Sequence, residues 1–172
     1  ANPPDHPTHL TDETHRLHFN LNTLGEIGSI FTSETDFEKA SAAALRMIMG
    51  AVATSRGALL IYEESGGCLQ SAVARGIGND PVTIPVSEAL HDLLVKTPDP
   101  IVLGVQRTWP GPLKACLQHI RPLGSRLWIP LVARNTLLGV LSLGEKFTKA
   151  PYSAEDLQFL WSISPYFSVE LY

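Results

Sequence analysis

The stretch RLWIPLVARNTLLGVLSLGE, residues 126–145, decides the fold of this chain. Two apolar runs, 126–133 and 136–145, are separated only by Arg134 and Asn135. So short a connection between apolar runs is typical of a β-hairpin, and asparagine tolerates the positive φ that a tight turn requires. The stretch therefore predicts two antiparallel strands in the last third of the chain.

A second hairpin is predicted earlier, where the strands 58–63 and 68–75 flank a glycine-containing turn. The region between the two hairpins is less regular. It is predicted to hold a short helix capped by Ser87, a brief strand at 101–105 and another short helix at 112–121.

Amphipathic helices frame these strands. Thr35 is predicted to cap a helix over 37–52, with Glu38 reaching back to complete a capping box. Ser153 is predicted to cap the final helix, with Asp156 at the third helical position. Hairpin-linked strands framed by helices indicate an α+β domain built on an antiparallel sheet.

The N-terminal helix carries a narrow apolar seam with a seven-residue repeat. Its members are Leu10, Leu17, Leu24 and Phe31, with Leu21 beside them. A narrow seam favours pairing with another helix, so these residues are the predicted dimer interface. Residues 1–9 hold three prolines and are predicted to be a linker or a frayed end, which leaves a single domain over 10–172.

The composition excludes several classes of protein. The chain has 172 residues, enough for one domain, and its net charge of −4 gives no reason to expect nucleic acid or an anionic membrane as partner. Its apolar runs are strand-sized, so no membrane insertion by this segment is expected. The two cysteines form neither a disulfide framework nor a zinc site, which favours a cytoplasmic setting. The absence of an initial methionine favours a fragment of a longer protein.

Two segments, 129–145 and 152–157, together resemble the end of a GAF domain. That family's pattern is an apolar strand with Pro-Leu, a short turn, a strand with Gly-Val-Leu, and a Tyr-Ser-x-x-Asp-Leu entry into the last helix. Residues 35–52 resemble the family's second helix, and 56–76 resemble its first hairpin. The resemblance covers roughly 17–171.

The resemblance implies an antiparallel sheet of about six strands. The N- and C-terminal helices are expected on one face, and short helices and loops over a small-molecule pocket on the other. It also implies a homodimer that forms through the terminal helices, and a covalently linked output domain such as a kinase, phosphatase or cyclase.

The function implied is that of a non-catalytic, ligand-sensing regulatory module of a signal-transduction protein, such as a sensor kinase of a two-component system. Ligand binding would be coupled to a rearrangement of the helices in a dimer. Two alternatives stay open. One is a dimerisation-only GAF module without ligand, and the other is a thiol-dependent free methionine sulfoxide reductase.

The candidate pocket is drawn from the middle segment and the facing side of the sheet. Aromatic walls with a few polar groups suit a small organic ligand, and an arginine suits an anionic group on it. The candidate lining residues are Tyr62, Arg107, Trp109, Cys116, His119, Arg121 and Trp128. The sequence does not name the small molecule.

Cys116 is the residue on which two chemistries depend. In phytochrome-like members of the family, the bilin is held by a cysteine seven residues before a glycine that resembles Gly124. That position is Leu117 here, one residue after Cys116, so a covalent bilin is not expected. His119 stands three residues after Cys116, close enough on a helix to lower the pKa of its thiol. Cys68 lies in the first hairpin, and the sequence gives no reason for it to meet Cys116. No catalytic residue is therefore assigned.

A metal site is not expected either. The N-terminal histidines are His6, His9, His15 and His18. No cysteine or carboxylate set accompanies them to complete a tetrahedral site, so they are interpreted as a solvated polar face.

Overall fold

The computed structural model describes residues 7–104 and 108–171, with side chains from Asn20 onward within those ranges. The helices are α1 (Pro7–Ser33), α2 (Phe37–Val52), α3 (Glu88–Lys96), α4 (Gly111–Lys114), α5 (Leu117–Ile120) and α6 (Ala154–Leu171), with a 3₁₀ turn at Arg121–Leu123. The strands are β1 (Gly57–Glu63), β2 (Cys68–Arg75), β3 (Thr83–Pro85), β4 (Ile101–Val102), β5 (Leu127–Ala133) and β6 (Thr136–Leu143).

Within the described residues, the strands form one six-stranded antiparallel sheet in the order β3-β2-β1-β6-β5-β4. The two predicted hairpins are confirmed, and they meet at the centre of the sheet through the β1–β6 pair. Arg134 and Asn135 both have positive φ, 50° and 61°, as a two-residue hairpin turn requires. Gly139 allows the close β1–β6 approach, because a Cβ there would lie 2.2 Å from the Leu60 carbonyl oxygen.

Alternate residues of the central strands face opposite sides of the sheet. Leu59 and Leu141 pack in a cluster with residues of α1, α2 and α6, which we call the long-helix side. Leu60 and Val140 pack in a second cluster with residues of α3, α4 and α5, which we call the short-helix side. The predicted α+β fold with helices on both faces is therefore confirmed.

Buried apolar contacts hold α1 and α6 together on the long-helix side. Ile27 and Ile163 are fully buried. The rings of Phe31 and Phe167 meet edge to face with their centroids 5.1 Å apart. Edge-to-face packing adds about 1 kcal/mol to the area that two aromatic rings bury, so this pair fixes α1 against α6.

The observed helix starts correct two of the predictions. α1 begins at Pro7, inside the predicted linker 1–9, because proline is tolerated at the first helical position. Asp36, not Thr35, caps α2: its Oδ1 accepts from the N–H groups of Glu38 and Lys39 at 2.9 and 3.3 Å. A carboxylate is a stronger acceptor than a hydroxyl, and it also complements the positive end of the helix.

The other two predicted caps are confirmed. Ser87 Oγ accepts from the N–H of Leu90 at 3.1 Å. Ser153 and Asp156 form a reciprocal capping box, in which each side chain accepts from the other's backbone N–H at 3.0 Å.

The segment between the hairpins departs most from the predictions. The strand β3 was not predicted, and β4 is only two residues long rather than extending to 105. The single helix predicted at 112–121 is instead two one-turn helices followed by the 3₁₀ turn. These elements are too short to show a periodicity in sequence.

Candidate functional site

The short-helix side holds most of the residues that the sequence nominates for a pocket. Trp109, Cys116 and Trp128 are all buried there in one apolar cluster, and Tyr62 packs against the edge of it. The Tyr62 ring lies beside the imidazole of His91, with centroids 5.5 Å apart. The structure thus brings four of the seven candidates together.

The two polar candidates that the structure describes, His119 and Arg121, do not line the interior of this cluster. Arg121 is exposed in the 3₁₀ turn. His119 is partly buried and its Nε2 lies 3.4 Å from the side-chain amide nitrogen of its exposed neighbour Gln118. Arg107 lies outside the described residues. Within the described part of the chain, neither Arg121 nor His119 points a charge into the cluster.

Trp128 is held by a small buried network of polar groups. Its Nε1 donates to Ser125 Oγ at 3.0 Å, and the Ser125 and Ser142 hydroxyls share a hydrogen bond of 2.6 Å. Both serines are almost fully buried. Their hydrogen bonds satisfy one another, so this network fixes the tryptophan rather than presenting free polar atoms to a ligand.

Trp109 has a comparable positioning role in the loop before α4. It is buried, and its Nε1 donates to the backbone carbonyl of Gly104 at 3.1 Å. Gly104 follows the short strand β4. Trp109 therefore ties the start of the short-helix segment to the edge of the sheet.

Cys116 lies in a setting that disfavours its thiolate form. It is buried, and its Sγ donates to the Pro85 carbonyl at 3.4 Å. Burial raises the pKa of the Cys116 thiol above its ordinary value, and a raised pKa lowers the population of the nucleophilic thiolate. Cys68 pairs with Pro85 in the sheet. The buried residue that β2 contributes to the cluster of Cys116 is Leu69, the residue after Cys68. Both cysteines are free.

The chain's own side chains fill the centre of the short-helix side. Leu60, Leu90, Leu94, Ile120 and Trp128 have no exposed surface at all. A side chain that borders a water-sized space retains some exposed surface, so these five border none. These five side chains form a packed centre in the described part of the cluster.

A shallow groove does lie at the rim, at the β5–β6 hairpin end of the sheet. Its volume is about 420 Å³, and Tyr62, His91, Asn135 and Thr136 are among its lining residues. Aromatic rings beside amide and hydroxyl groups are the mixture that small-molecule sites use. Sequence reasoning missed His91 and Asn135 here, because only the fold brings α3 and the hairpin turn together.

The predicted dimer seam divides in two along α1. Phe31 is buried in the chain's own core, and Leu24 is partly buried against it. Leu21 stays 56 % exposed at the mouth of a groove of about 330 Å³ between α1 and α6. The side chains of Leu10 and Leu17 lie outside the described ones.

Comparison with known families decides what this architecture is. The model of the GAF domain family matches residues 36–170, which is most of the chain. The chain belongs to the GAF family. The match runs from the cap of α2 to the penultimate residue of α6, so it includes every strand of the sheet.

Solved structures with the same fold come from proteins of several kinds. The GAF domain of a phosphoenolpyruvate-protein phosphotransferase from Coxiella burnetii is 19% identical, with a TM-score of 0.69, and the match covers 88% of this chain and 91% of that one. The phycocyanobilin-bound GAF domain of a cyanobacterial phytochrome is 14% identical, with a TM-score of 0.69 and coverages of 88% and 92%. Free methionine-R-sulfoxide reductase from Neisseria meningitidis is 18% identical, with a TM-score of 0.65 and coverages of 88% and 87%.

At these identities the likeness establishes the fold, and the relatives range from a bilin-bound phytochrome domain to an enzyme. No curated protein matches the sequence. No helix in the described ranges combines the length and apolar character that a membrane crossing needs. Among the described side chains, no group of three or more His, Cys, Asp or Glu is placed to hold a metal ion. The side chains of the N-terminal histidines lie outside that description.

Proposed function

We propose that this GAF domain is a non-catalytic regulatory module of a signalling protein, and that it works as a homodimer through α1 and α6. The observation that carries the proposal is the layer that these two helices form on one face of the sheet. α1 has 27 residues and α6 has 18, and they are joined by the Phe31–Phe167 contact. A rigid pair of long helices can transmit a movement along its length.

The apolar surface beside this contact supports pairing with a second copy. Leu21 is exposed on α1, and the groove next to it is lined by Leu24 and Phe159 together with polar residues of α6. A continuous apolar surface with polar residues at its rim is typical of a protein interaction site, and Leu21 with the apolar part of the groove forms such a surface. In a twofold dimer the same patch serves both subunits, so Leu21 of each copy would enter the groove of the other.

The test is the oligomeric state of a Leu21→Glu variant in sedimentation velocity. We expect the unmodified domain to sediment as a dimer and Leu21→Glu as a monomer, because the substitution would bury an unpaired carboxylate of each copy in the partly apolar groove of the other. Val102→Glu is the matched control, since Val102 is 55 % exposed on β4, away from both helices. A Leu21→Glu variant that stays dimeric, or a Val102→Glu variant that becomes monomeric, would contradict the proposal.

A non-catalytic role is supported by the state of Cys116. A thiol-dependent reductase needs an accessible thiolate, and Cys116 is a buried thiol with a raised pKa. The Cys116 thiol also donates its hydrogen bond to the Pro85 backbone carbonyl rather than to a basic side chain.

Sensing of a small organic ligand is the second candidate function, and the rim groove with Tyr62 and His91 favours it. Native mass spectrometry of the purified domain, before and after mild denaturation, distinguishes the two functions. A small molecule that co-purifies and is released on denaturation would establish sensing. A bare dimer would favour the dimerisation module.

A further inference from the structure

A groove far from the predicted pocket gathers an unusual share of the chain's positive charge. It has a volume of about 350 Å³, and Arg56, Arg126, Lys146 and Lys149 line it. The whole chain has 13 lysines and arginines and a net charge of −4, so almost a third of its cations line this one groove. Glu145 is the carboxylate that lines it with them.

Backbone geometry builds this groove, because it joins the start of β1, the start of β5 and the end of β6. The N–H of Gly144 donates to the Arg56 carbonyl at 2.9 Å, and the N–H of Arg126 donates to Leu143 at 2.8 Å. Beyond β6, a turn closed by the N–H of Lys149 to the Lys146 carbonyl, at 2.9 Å, brings both lysines to the same groove.

Two glycines make room for the Arg56 side chain. A Cβ on Gly124 would lie 2.4 Å from Arg56 Nη1, and a Cβ on Gly144 would lie 2.8 Å from Arg56 Cβ. Gly124 also has a φ of 60°, which favours glycine. The guanidinium is therefore seated against the backbone instead of extending freely into solvent.

Most of this charge has no ion-pair partner among the residues that the structure describes. Lys146 pairs with Asp156, with Nζ and Oδ2 2.6 Å apart. Across the described residues, no carboxylate forms an ion pair with Arg56, Arg126 or Lys149. Like charges held close together repel, so a groove of three unpaired cations favours the binding of an anion.

We propose that this groove binds a small molecule that carries two or more phosphates. Guanidinium groups match phosphate oxygens bidentately, and the lysine ammonium adds a compact charge. The volume is at the lower end of small-molecule sites, so it suits a compact polyanion. Phe147, which is 69 % exposed, lines the same groove and offers an apolar surface for the rest of the ligand. The site shares no residue with the α1–α6 interface, so it stands or fails independently of the proposed function.

Isothermal titration calorimetry of the unmodified chain with pyrophosphate at low ionic strength tests the proposal. We expect saturable binding, weakened about tenfold or more by Arg56→Gln and by Arg126→Gln, since each removes a charge-assisted contact. Arg46→Gln is the matched control, because Arg46 is also an exposed arginine but lies on α2 outside the groove. We expect its affinity to equal that of the unmodified chain. Lys149→Gln provides a further groove variant if Arg56→Gln alters the melting temperature.

Three results would overturn the proposal. The first is an absence of binding at millimolar pyrophosphate. The second is an equal loss of affinity in Arg46→Gln and in the groove variants, which would indicate nonspecific attraction. The third is sulfate binding as tight as pyrophosphate, which would indicate a site for single anions. Tighter binding of a nucleoside diphosphate than of pyrophosphate, abolished by Phe147→Ala, would support the proposal and extend it to the apolar part of the ligand.

Discussion

The long-helix side and the short-helix side cover the two faces of the same sheet with very different elements. α1, α2 and α6 have 27, 16 and 18 residues, whereas α3, α4 and α5 have 9, 4 and 4. A long helix satisfies most of its backbone hydrogen bonds internally, but a helix of one turn satisfies very few. The short helices therefore depend on what anchors them.

Three single hydrogen bonds supplement the apolar packing on this side. Trp128 is fixed by Ser125, Trp109 by the Gly104 carbonyl, and Cys116 by the Pro85 carbonyl. Segments with few local contacts open at a lower free energy than the rest of a domain. We therefore expect the short-helix side to open at a lower free energy than the long-helix side.

The largest expected effect comes from removing the central anchor of the short-helix side. Trp128→Ala should lower the free energy of unfolding by about 3–5 kcal/mol, because it leaves a large cavity in a packed core. Urea denaturation measures this loss. Phe147→Ala is the control, since that ring is exposed and its removal should change stability by no more than about 0.5 kcal/mol.

The same variant also tests whether the two sides are separate units. We expect amide hydrogen exchange in α3 to accelerate in Trp128→Ala while exchange in α2 stays slow. If exchange accelerates equally in α2 and α3, the two sides of the sheet open together and do not differ in opening free energy.

The long-helix side and both hairpins were predictable from sequence because their signals are local. The hairpin 126–145 has its turn residues between two apolar runs, and Ser153 and Asp156 show the spacing of a capping box. The cap of α2 was misassigned to Thr35 because Thr35 and Asp36 are adjacent and both are good capping residues. Local capping preferences therefore do not decide which of two adjacent capping residues begins the helix.

The short-helix side and the basic groove were not predictable in the same way. Ser125 lies outside the strands, and Ser142 is a single polar residue in an apolar strand. Neither position predicts the hydrogen bond that joins the two serines. Arg56 and Arg126 are 70 positions apart in the sequence, and only the sheet brings them together. Pairings of this kind follow from topology, which no periodicity encodes.

An intermediate effect is expected from the serines that hold Trp128. Ser125→Ala should cost about 2 kcal/mol, because it leaves both Trp128 Nε1 and Ser142 Oγ buried without their partner. Ser142→Ala should cost about 1 kcal/mol, since Ser125 still accepts from the indole. Urea denaturation of both variants measures the difference. Equal costs would show that Ser125 does not bridge the two groups, and the anchor would then be the packing of the ring alone.

The smallest expected effect concerns the start of α6 on the long-helix side. Burial tends to raise the pKa of Asp156, but hydrogen bonds from Lys146 and Ser153 and the charge of Lys146 outweigh it, so the pKa is lowered. A carboxyl group with a lowered pKa in the folded state stabilises the fold above its unfolded pKa of about 3.9, and this contribution is lost as the pH falls through the folded value. We therefore expect Asp156→Asn to cost about 1 kcal/mol at pH 6 and progressively less below about pH 4.

Thermal melts of the unmodified chain and of Asp156→Asn between pH 6 and pH 3 measure this difference. Asp99→Asn is the control, because Asp99 is exposed and lies outside both helical layers. If the melting temperatures of the unmodified chain and of Asp156→Asn differ by the same amount from pH 6 to pH 3, the carboxylate charge of Asp156 does not stabilise the start of α6. The position of α6 would then depend on its apolar contacts with α1, such as the Phe31–Phe167 pair.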